Sequence, residues 1–248
     1  MNHLIASLAI VACAASPELP SVYYIGDSIS NISVPWMRPP LQGIATVKHS
    51  EPVAGNPTGN ALDSGYSLQH IGEWLPDGRR YDVILCNWGL HDIEHVTADR
   101  HLRVSPEQYR LNLRELFAIC KAHADVVLVS LTTVVPPDNP SYFRRNEDVI
   151  TYNAILVDEA HRAGLATVNL YGPTASHLDW YPAGDVHPAD VGRAALGVIL
   201  ADAVVDALGV QNVPAVSGSW LLLLCVVIVV IALGTGIHHG IHGSRCQN

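Results

Sequence analysis

The sequence has little charge, and basic residues are especially scarce. Asp, Glu, Lys and Arg together make up 15% of the chain, whereas hydrophobic residues make up 49%. This balance excludes an extended disordered chain, because a chain of low charge can bury enough apolar surface to fold. Lys and Arg number 14 against 23 Asp and Glu, which gives a formal net charge of −9. We expect no nucleic-acid partner, since no basic field is available to replace condensed counterions.

Cysteine is also scarce, with five residues in a chain of 248. Cys13, Cys225 and Cys246 lie towards the two ends, so only Cys86 and Cys120 belong to the middle of the chain. Two isolated cysteines form neither a disulfide framework nor the ligand spacing of a zinc site. We therefore expect two buried thiols.

Residues 1–15 have the features of a secretory signal peptide. A short apolar run from Leu4 to Ala12 precedes several small residues and is too short to span a bilayer. The pattern predicts export, with cleavage at the small residues. An alternative remains open, because the segment that ends at Cys13 also resembles the lipobox of bacterial lipoproteins, which would place a lipid on that cysteine.

No charged residue occurs between Val213 and Ile237, and this stretch contains an unbroken apolar run from Trp220 to Leu233. Its length is enough for one membrane-spanning helix. We therefore interpret residues 211–248 as a linker, a transmembrane anchor and a short tail. The entry to this run also resembles a bacterial carboxyl-terminal sorting signal, so cleavage of the anchor remains open. The two ends together predict an exported, single-pass protein of the cell envelope, with its main domain outside the cytoplasm.

The middle of the chain, residues 20–210, alternates between predicted strands and predicted helices. Four continuous apolar runs are typical of parallel strands that are buried on both faces. They are Val22–Ile25, Tyr81–Cys86, Val126–Leu131 and Ala166–Leu170. Helices are predicted near Ser64, at Ser105–Pro106, near Asn146 and at Pro188. This alternation predicts a three-layer α/β/α sandwich with a mostly parallel sheet, in which ligands bind at the carboxyl ends of the strands.

Apolar residues at helical spacing predict which face of each helix is buried. For the helix after Ser105, the predicted inward residues are Tyr109, Leu113, Leu116, Phe117 and Cys120. For the helix near Asn146 they are Ile150, Ala154 and Val157, and for the last helix they are Val191, Ala195 and Val198.

The tripeptide Gly26-Asp27-Ser28 directly follows the first predicted strand. A Ser on a tight turn at the carboxyl end of a strand is open to a substrate, and a Gly permits such a turn. A nucleophilic Ser needs a general base, and the base needs an acid that orients it. Asp185 and His187 adjoin in the loop before the last helix and meet this need. The alternative is that these residues form an ordinary turn and an ordinary helix cap.

Two further polar loops follow the same pattern. The segment from Asn87 to Asp92 follows the second apolar run, so its side-chain donors are expected over the same edge of the sheet. The loop from Asn56 to Ser64 is rich in Gly and Asn and leads into a predicted helix. Its backbone is a candidate source of a hydrogen-bond donor for a developing oxyanion.

These four elements, taken together, resemble the SGNH (GDSL-type) serine hydrolases, and the resemblance extends from about residue 22 to about residue 209. It implies a flavodoxin-like fold, with Ser28 as the nucleophile, His187 as the general base and Asp185 as the acid that orients the imidazole. The family forms its oxyanion hole from the nucleophile's own N–H, a backbone N–H of the second block and a side chain of the third block.

The sequence departs from the family pattern mainly in the oxyanion hole. His91 stands where the third block normally has Asn, and a His donor is sensitive to pH because the ring can be protonated. Asn87 is an alternative side-chain donor. In the second block Leu62 stands where Gly is usual, and Gly59 or Asn60 are alternative donors. The Asp and His of the last block are two residues apart, whereas the family usually spaces them three apart.

The resemblance implies a serine esterase that hydrolyses small acyl esters, either O-acetyl groups of a glycan or lipid-type esters, through an acyl-enzyme. This mechanism needs no metal or other cofactor, so we expect none. Two alternatives remain open. A catalytically weak or inactive relative would bind a glycan in the same cleft without turnover. A metal-dependent hydrolase would use His91, Asp92 and His95, since the two histidines are four residues apart, as ligands on one helix face would be.

Overall fold

Five parallel strands form one sheet in a computed structural model, which describes residues 18–95, 101–137 and 144–209. The strands are β1 Ser21–Gly26, β2 Thr46–His49, β3 Tyr81–Asn87, β4 Ala124–Ser130 and β5 Ala166–Val168. Their order across the sheet is β2-β1-β3-β4-β5, and every neighbouring pair is parallel. All except β2 match a predicted apolar run. β2 has no such run, because it lies at the edge of the sheet and buries mainly Val47.

Six α-helices lie within the described residues. They are α1 Ser28–Met37, α2 Ser64–Trp74, α3 Pro106–His123, α4 Asn146–Ala163, α5 Tyr171–Ser176 and α6 Asp190–Ala207, and a short 3-10 helix covers Leu178–Trp180. α1 packs against α6, whereas α3 packs against α2 and α4. These two groups form the helical layers of a three-layer α/β/α sandwich, which confirms the predicted fold class.

β1 and β3 form the centre of the hydrophobic core. Residues 22–25 of β1 and residues 83–86 of β3 are at most 2% exposed. Burial on both faces of the sheet is the property that their continuous apolar sequences predict. Cys86 of β3 and Cys120 of α3 are both buried free thiols, as expected, and their sulfur atoms lie 3.6 Å apart.

The predicted buried face is correct for α3 but wrong for α4 and α6. The five predicted inward residues of α3 are at most 1% exposed. In α4, however, Ile150 is 53% exposed, and the buried positions include Val149 and Leu156 instead. In α6, Val191 and Val198 are 61% and 48% exposed. Both helices carry apolar residues on more than one face, so periodicity alone does not select the face that is buried.

Close packing between helices selects the face of α6. Gly197 of α6 lies against Trp36 of α1, and a Cβ at position 197 would be 2.5 Å from the Trp36 Cβ. Because only a glycine permits this approach, α6 turns Gly197 and the neighbouring Leu196 towards the core. Contact with α1 thereby leaves Val191 and Val198 of α6 exposed to solvent.

The strand register brings the carboxyl ends of β1, β3 and β4 together. Gly26 pairs with Asn87, and Asn87 pairs with Ser130, each the last residue of its strand. The turns that follow β1 and β3 therefore leave the sheet side by side. This edge is where the polar sequence motifs were expected to meet.

Among the described residues, no helix is both long enough and apolar enough to cross a membrane. The predicted signal peptide and the predicted span at 213–237 lie outside the described residues. Both therefore remain predictions from the sequence.

Candidate active site

The turn between β1 and α1 presents Ser28 as the first residue of a helix. Asp27 caps this helix, and its Oδ1 accepts a hydrogen bond from the Ile29 N–H at 2.9 Å. Gly26 is required, because a Cβ at this position would lie 2.9 Å from the Cβ of Asn87. The first N–H groups of a helix have no intrahelical acceptor, so the turn can offer donors to a developing negative charge.

Ser28, His187 and Asp185 form a continuous chain of hydrogen bonds. Ser28 Oγ lies 2.7 Å from His187 Nε2, and His187 Nδ1 lies 2.7 Å from Asp185 Oδ1. The serine and the histidine are 159 positions apart in the sequence, so the fold alone brings them together. The His187 side chain is 33% exposed and the Asp185 side chain is 47% exposed, which leaves the group open to a substrate.

The shortened Asp185–His187 spacing is accommodated by a local turn. Asp185 Oδ1 also accepts a hydrogen bond from the backbone N–H of His187 at 2.9 Å, which folds the carboxylate back onto the ring. Burial raises the pKa of Asp185, but the hydrogen bonds from the His187 backbone and ring outweigh it and hold the pKa below its usual value. A carboxylate at Nδ1 favours the tautomer with hydrogen on Nδ1, which leaves the Nε2 lone pair towards Ser28.

Asp92 joins the loop after β3 to the start of α2. Its Oδ1 accepts hydrogen bonds from the Ser64 N–H at 3.0 Å and from the Ser64 Oγ at 2.5 Å. The carboxyl group is fully buried, and burial raises its pKa to about 7 in spite of these two hydrogen bonds. Asp92 therefore links the turn after β3 to the loop that leads into α2.

Leu62 is the only non-glycine residue with a positive φ among the described residues, with φ of +48°. The left-handed region favours glycine, which explains why a glycine is usual at this place in the pattern. The Leu62 N–H donates a hydrogen bond to Asn60 Oδ1 at 2.9 Å. This candidate oxyanion donor is thus engaged by a neighbouring side chain in the structure.

The other second-block candidates are held within their own loop. The Gly59 N–H donates to the Asn56 carbonyl at 3.5 Å, and the Gly59 carbonyl accepts from Ser50 Oγ at 2.5 Å. The backbone N–H of Asn60 donates to Thr58 Oγ1 at 3.4 Å. These contacts shape the loop around Leu62. The backbone N–H groups of Gly59 and Asn60 therefore both have acceptors within the loop.

Asn87 lies inside the sheet rather than on the loop above it. Its side chain is buried, and Nδ2 donates to the Ser130 carbonyl at 3.4 Å. The Asn87 side chain packs directly against the Gly26 backbone. Its Nδ2 therefore bonds to the neighbouring strand, whereas its Oδ1 has no hydrogen-bond partner among the described residues.

His91 lies in the turn that follows β3 and contacts a buried carboxylate. His91 Nδ1 is 3.0 Å from Glu94 Oε1, and the side chains are 18% and 2% exposed respectively. Glu94 also pairs with Arg144 and Arg103. The sequence analysis did not identify Glu94, although an acidic residue three positions after His91 is a visible signal for an ion pair within one turn.

The two histidines of the metal alternative contact different carboxylates. His91 faces Glu94, whereas His95 Nε2 is 3.0 Å from Asp148 Oδ2 on α4. The segment of residues 91–93 is a turn, so the histidines do not share a helix face. Within residues 18–95, 101–137 and 144–209, no group of three or more His, Cys, Asp or Glu residues is placed to hold a metal ion.

His49 is a second residue near the site that the sequence analysis did not identify. It ends the edge strand β2, and its Nε2 lies 2.6 Å from the Oγ of Ser30 in the first turn of α1. Burial lowers the pKa of His49 to about 4, although a hydrogen bond to the Ser50 backbone acts in the opposite direction. The ring thereby ties the edge strand to the helix that carries Ser28.

Comparison with known proteins gives a consistent assignment. The sequence model of the GDSL-like lipase/acylhydrolase family matches residues 25–195, which is more than half of the chain. None of the curated proteins matches the chain in sequence.

Three solved structures illustrate the similarity in fold. LAE5, an alpha/beta hydrolase enzyme from the metagenome of Lake Arreo, is 17% identical, with 79% of this chain and 97% of that chain covered and a TM-score of 0.59. The acetylxylan esterase Axe2 from Geobacillus stearothermophilus is 16% identical, with 80% and 98% covered and a TM-score of 0.59. The lipase/acylhydrolase from Enterococcus faecalis is 13% identical, with 75% and 95% covered and a TM-score of 0.58.

At these identities the solved structures demonstrate the fold alone, whereas the family match rests on the sequence itself. The order of the blocks, the sheet topology and the family match agree with one another. The chain belongs to the GDSL-like lipase/acylhydrolase family.

Proposed function

We propose that this protein is a serine esterase in which Ser28 is the nucleophile, His187 is the general base and Asp185 orients the imidazole. The observation that carries the proposal is the chain of hydrogen bonds from Ser28 through His187 to Asp185, with both side-chain links at 2.7 Å. Membership of an acylhydrolase family supports the reaction class.

The proposed reaction proceeds through an acyl-enzyme. Ser28 Oγ attacks the ester carbonyl carbon while His187 Nε2 takes the hydroxyl proton, and the C–O bond to the alcohol then breaks as His187 returns that proton to the leaving oxygen. Water attacks the acyl-serine next, with His187 again taking and returning a proton. Asp185 holds the Nδ1 hydrogen and stabilises the imidazolium that forms in each step.

The Ser28 N–H at the start of α1 and the side chain of His91 are the proposed donors to the oxyanion. A third donor, the Leu62 N–H, would have to exchange its hydrogen bond with Asn60 for one with the substrate. This contact supports a second candidate function, a protein that binds a glycan ester with little turnover. Removal of one oxyanion donor slows comparable reactions by about 100-fold or more.

We propose small acyl esters as the substrate class, either O-acetyl groups on a glycan or lipid-type esters. The family description of lipase and acylhydrolase supports both, and a similar fold occurs in an acetylxylan esterase. The proposed export of the domain would place it among cell-surface glycans and lipids.

Labelling with a fluorophosphonate probe and hydrolysis of a panel of p-nitrophenyl esters test the proposal. We expect the wild-type protein to react with the probe, and we expect Ser28→Ala to abolish labelling and to reduce turnover by at least about 1,000-fold. Ser176→Ala is a matched control, because the Ser176 hydroxyl is exposed and bonds only within α5. Equal labelling of wild type and Ser28→Ala would contradict the nucleophile, and glycan binding without hydrolysis of any ester would favour the second candidate function.

A further inference from the structure

The carboxylate of Glu94 determines which nitrogen of His91 carries a hydrogen. Glu94 Oε1 faces His91 Nδ1 at 3.0 Å, and the Glu94 side chain is only 2% exposed. A carboxylate has only acceptor oxygens, so the nitrogen that faces it must be the N–H of the ring. A neutral His91 therefore has its single hydrogen on Nδ1.

Two arginines keep Glu94 ionised. Arg144 pairs with Glu94 Oε1 and also donates from Nε to the Leu90 carbonyl at 2.7 Å, while Arg103 Nε donates to Glu94 Oε2 at 2.8 Å. Burial raises the pKa of Glu94, but the hydrogen bond from His91 and the charges of the arginines outweigh it and hold the pKa below its usual value. The partner of His91 is thus a fixed anion.

The other ring nitrogen of His91 is the one that can serve the reaction. In a neutral ring with hydrogen on Nδ1, Nε2 carries a lone pair and repels a negatively charged oxygen. In a protonated ring, Nε2 carries a hydrogen and donates a charge-assisted hydrogen bond to such an oxygen. The amide of Asn, which the family normally has here, donates in every protonation state of the protein.

The fold places the turn that carries His91 beside the turn that carries Ser28. The Asp27 carboxyl group, adjacent to Ser28, interacts electrostatically with both His91 and His187. A positive charge on either imidazole therefore acts to lower the pKa of Asp27, which burial raises. The register of β1 beside β3 gives the same placement, since the turns that carry Ser28 and His91 leave neighbouring strands.

We infer that His91 donates to the oxyanion only in its protonated form, and that Glu94 is a positioning residue that holds the Nδ1 hydrogen and supports this cation. This inference rests on the proposed esterase function. It requires His187 to be neutral and His91 to be charged in the same molecule. The activity should therefore fall on both sides of an optimum, at low pH through His187 and at high pH through His91.

The groups that surround His91 act on its charge in both directions. Asp92 and Glu94 on the same turn, and Asp27 on the turn after β1, favour the cation when they are ionised. Arg144 and Arg103 oppose it, but each is paired directly with Glu94. The nearest compensating charge for His91 is the Glu94 carboxylate that it contacts.

The test is the pH dependence of kcat/KM for p-nitrophenyl acetate, from about pH 5 to about pH 9, the range in which imidazoles titrate. The full chain is used in detergent, absorbance is read at the isosbestic wavelength of nitrophenol, and the rate of Ser28→Ala is subtracted at each pH. For the wild-type protein we expect a fall in kcat/KM on the alkaline side. For His91→Asn we expect this alkaline fall to disappear, because the amide does not titrate.

Two more variants separate positioning from folding. His91→Ala should lose about 100-fold at the optimum, the usual effect of removing an oxyanion donor. Glu94→Gln keeps an oxygen for Nδ1 but removes the charge, so the alkaline fall should move to lower pH. If Glu94→Gln does not fold, as judged by circular dichroism, the comparison of wild type with His91→Asn decides the question alone, since His91 lies nearer the surface.

Failure of the inference is distinguishable from failure of the proposed function. An alkaline fall that is the same in wild type and His91→Asn overturns the inference while leaving a Ser28-dependent esterase in place. A wild-type kcat/KM that stays constant from the optimum to about pH 9 also overturns the inference and leaves the esterase function in place. Activity that is unaffected by Ser28→Ala overturns the proposed function and this inference together.

Discussion

Replacing Asp92 with Asn should make the stability of the protein less sensitive to pH. Asp92 is fully buried, and its Oδ1 accepts two hydrogen bonds from Ser64, whereas Oδ2 has no partner among the described residues. Burial raises the pKa of Asp92 from 3.8 to about 7, against the lowering effect of the Ser64 hydrogen bonds. Between these two values the folded state holds a proton that the unfolded chain has released.

The stability that this proton contributes is complete below the unfolded pKa and is lost as the pH rises through the folded pKa. Each pH unit in this window corresponds to about 1.4 kcal/mol of unfolding free energy. From about pH 5 to about pH 7, Asp92 should therefore cost the wild-type protein about 3 kcal/mol. Asp92→Asn keeps an oxygen for Ser64 and does not titrate, so this loss should be absent from the variant.

Urea unfolding followed by circular dichroism at several pH values measures the effect. The decisive quantity is the difference in unfolding free energy between variant and wild type, because titrating groups that do not interact with Asp92 affect both proteins equally. This difference should shift in favour of Asp92→Asn by about 3 kcal/mol between about pH 5 and about pH 8. Asp179→Asn, at a side chain that is 80% exposed, should show no such shift. A difference that stays constant for Asp92→Asn would refute the reasoning.

Two other predictions concern acid stability and the carboxyl-terminal segment. The pKa of His49 is lowered from 6.5 to about 4, so the unfolded chain gains a proton first, and stability should fall by about 3 kcal/mol as the pH drops through this window. His49→Gln should remove that acid dependence in the same unfolding assay, and an unchanged acid dependence would contradict it. Deletion of residues 213–248 should release the protein from membranes in cell fractionation, and a truncated protein that remains membrane-bound would instead favour a lipid on Cys13.

The order of strands and helices was predictable because their signals are local. The apolar runs at β1, β3 and β4 identify buried strands without any knowledge of their neighbours. The edge strand β2 was not predictable, since it buries mainly Val47 and has no such run. The buried face of α6 was predicted incorrectly, because the choice depends on how closely Gly197 approaches Trp36 of another helix.

The candidate site was predictable as a set of residues but not as an arrangement. Gly26-Asp27-Ser28 and the Asp185–His187 pair are recognisable in the sequence because they lie next to strand and helix boundaries. The partners of the oxyanion candidates are not recognisable in this way. That Leu62 adopts a positive φ, and that Asn60 accepts its N–H, follows from the folded loop.

The sequence by itself determined the fold class, the family and the residue types at the site, because strand patterns and short motifs are properties of neighbouring residues. Only the tertiary structure decided that Ser28 and His187, 159 positions apart, lie within hydrogen-bond distance. It also decided that His91 faces a buried Glu94 held by two arginines. Such contacts depend on strand register and on the packing of distant segments, which no local pattern specifies.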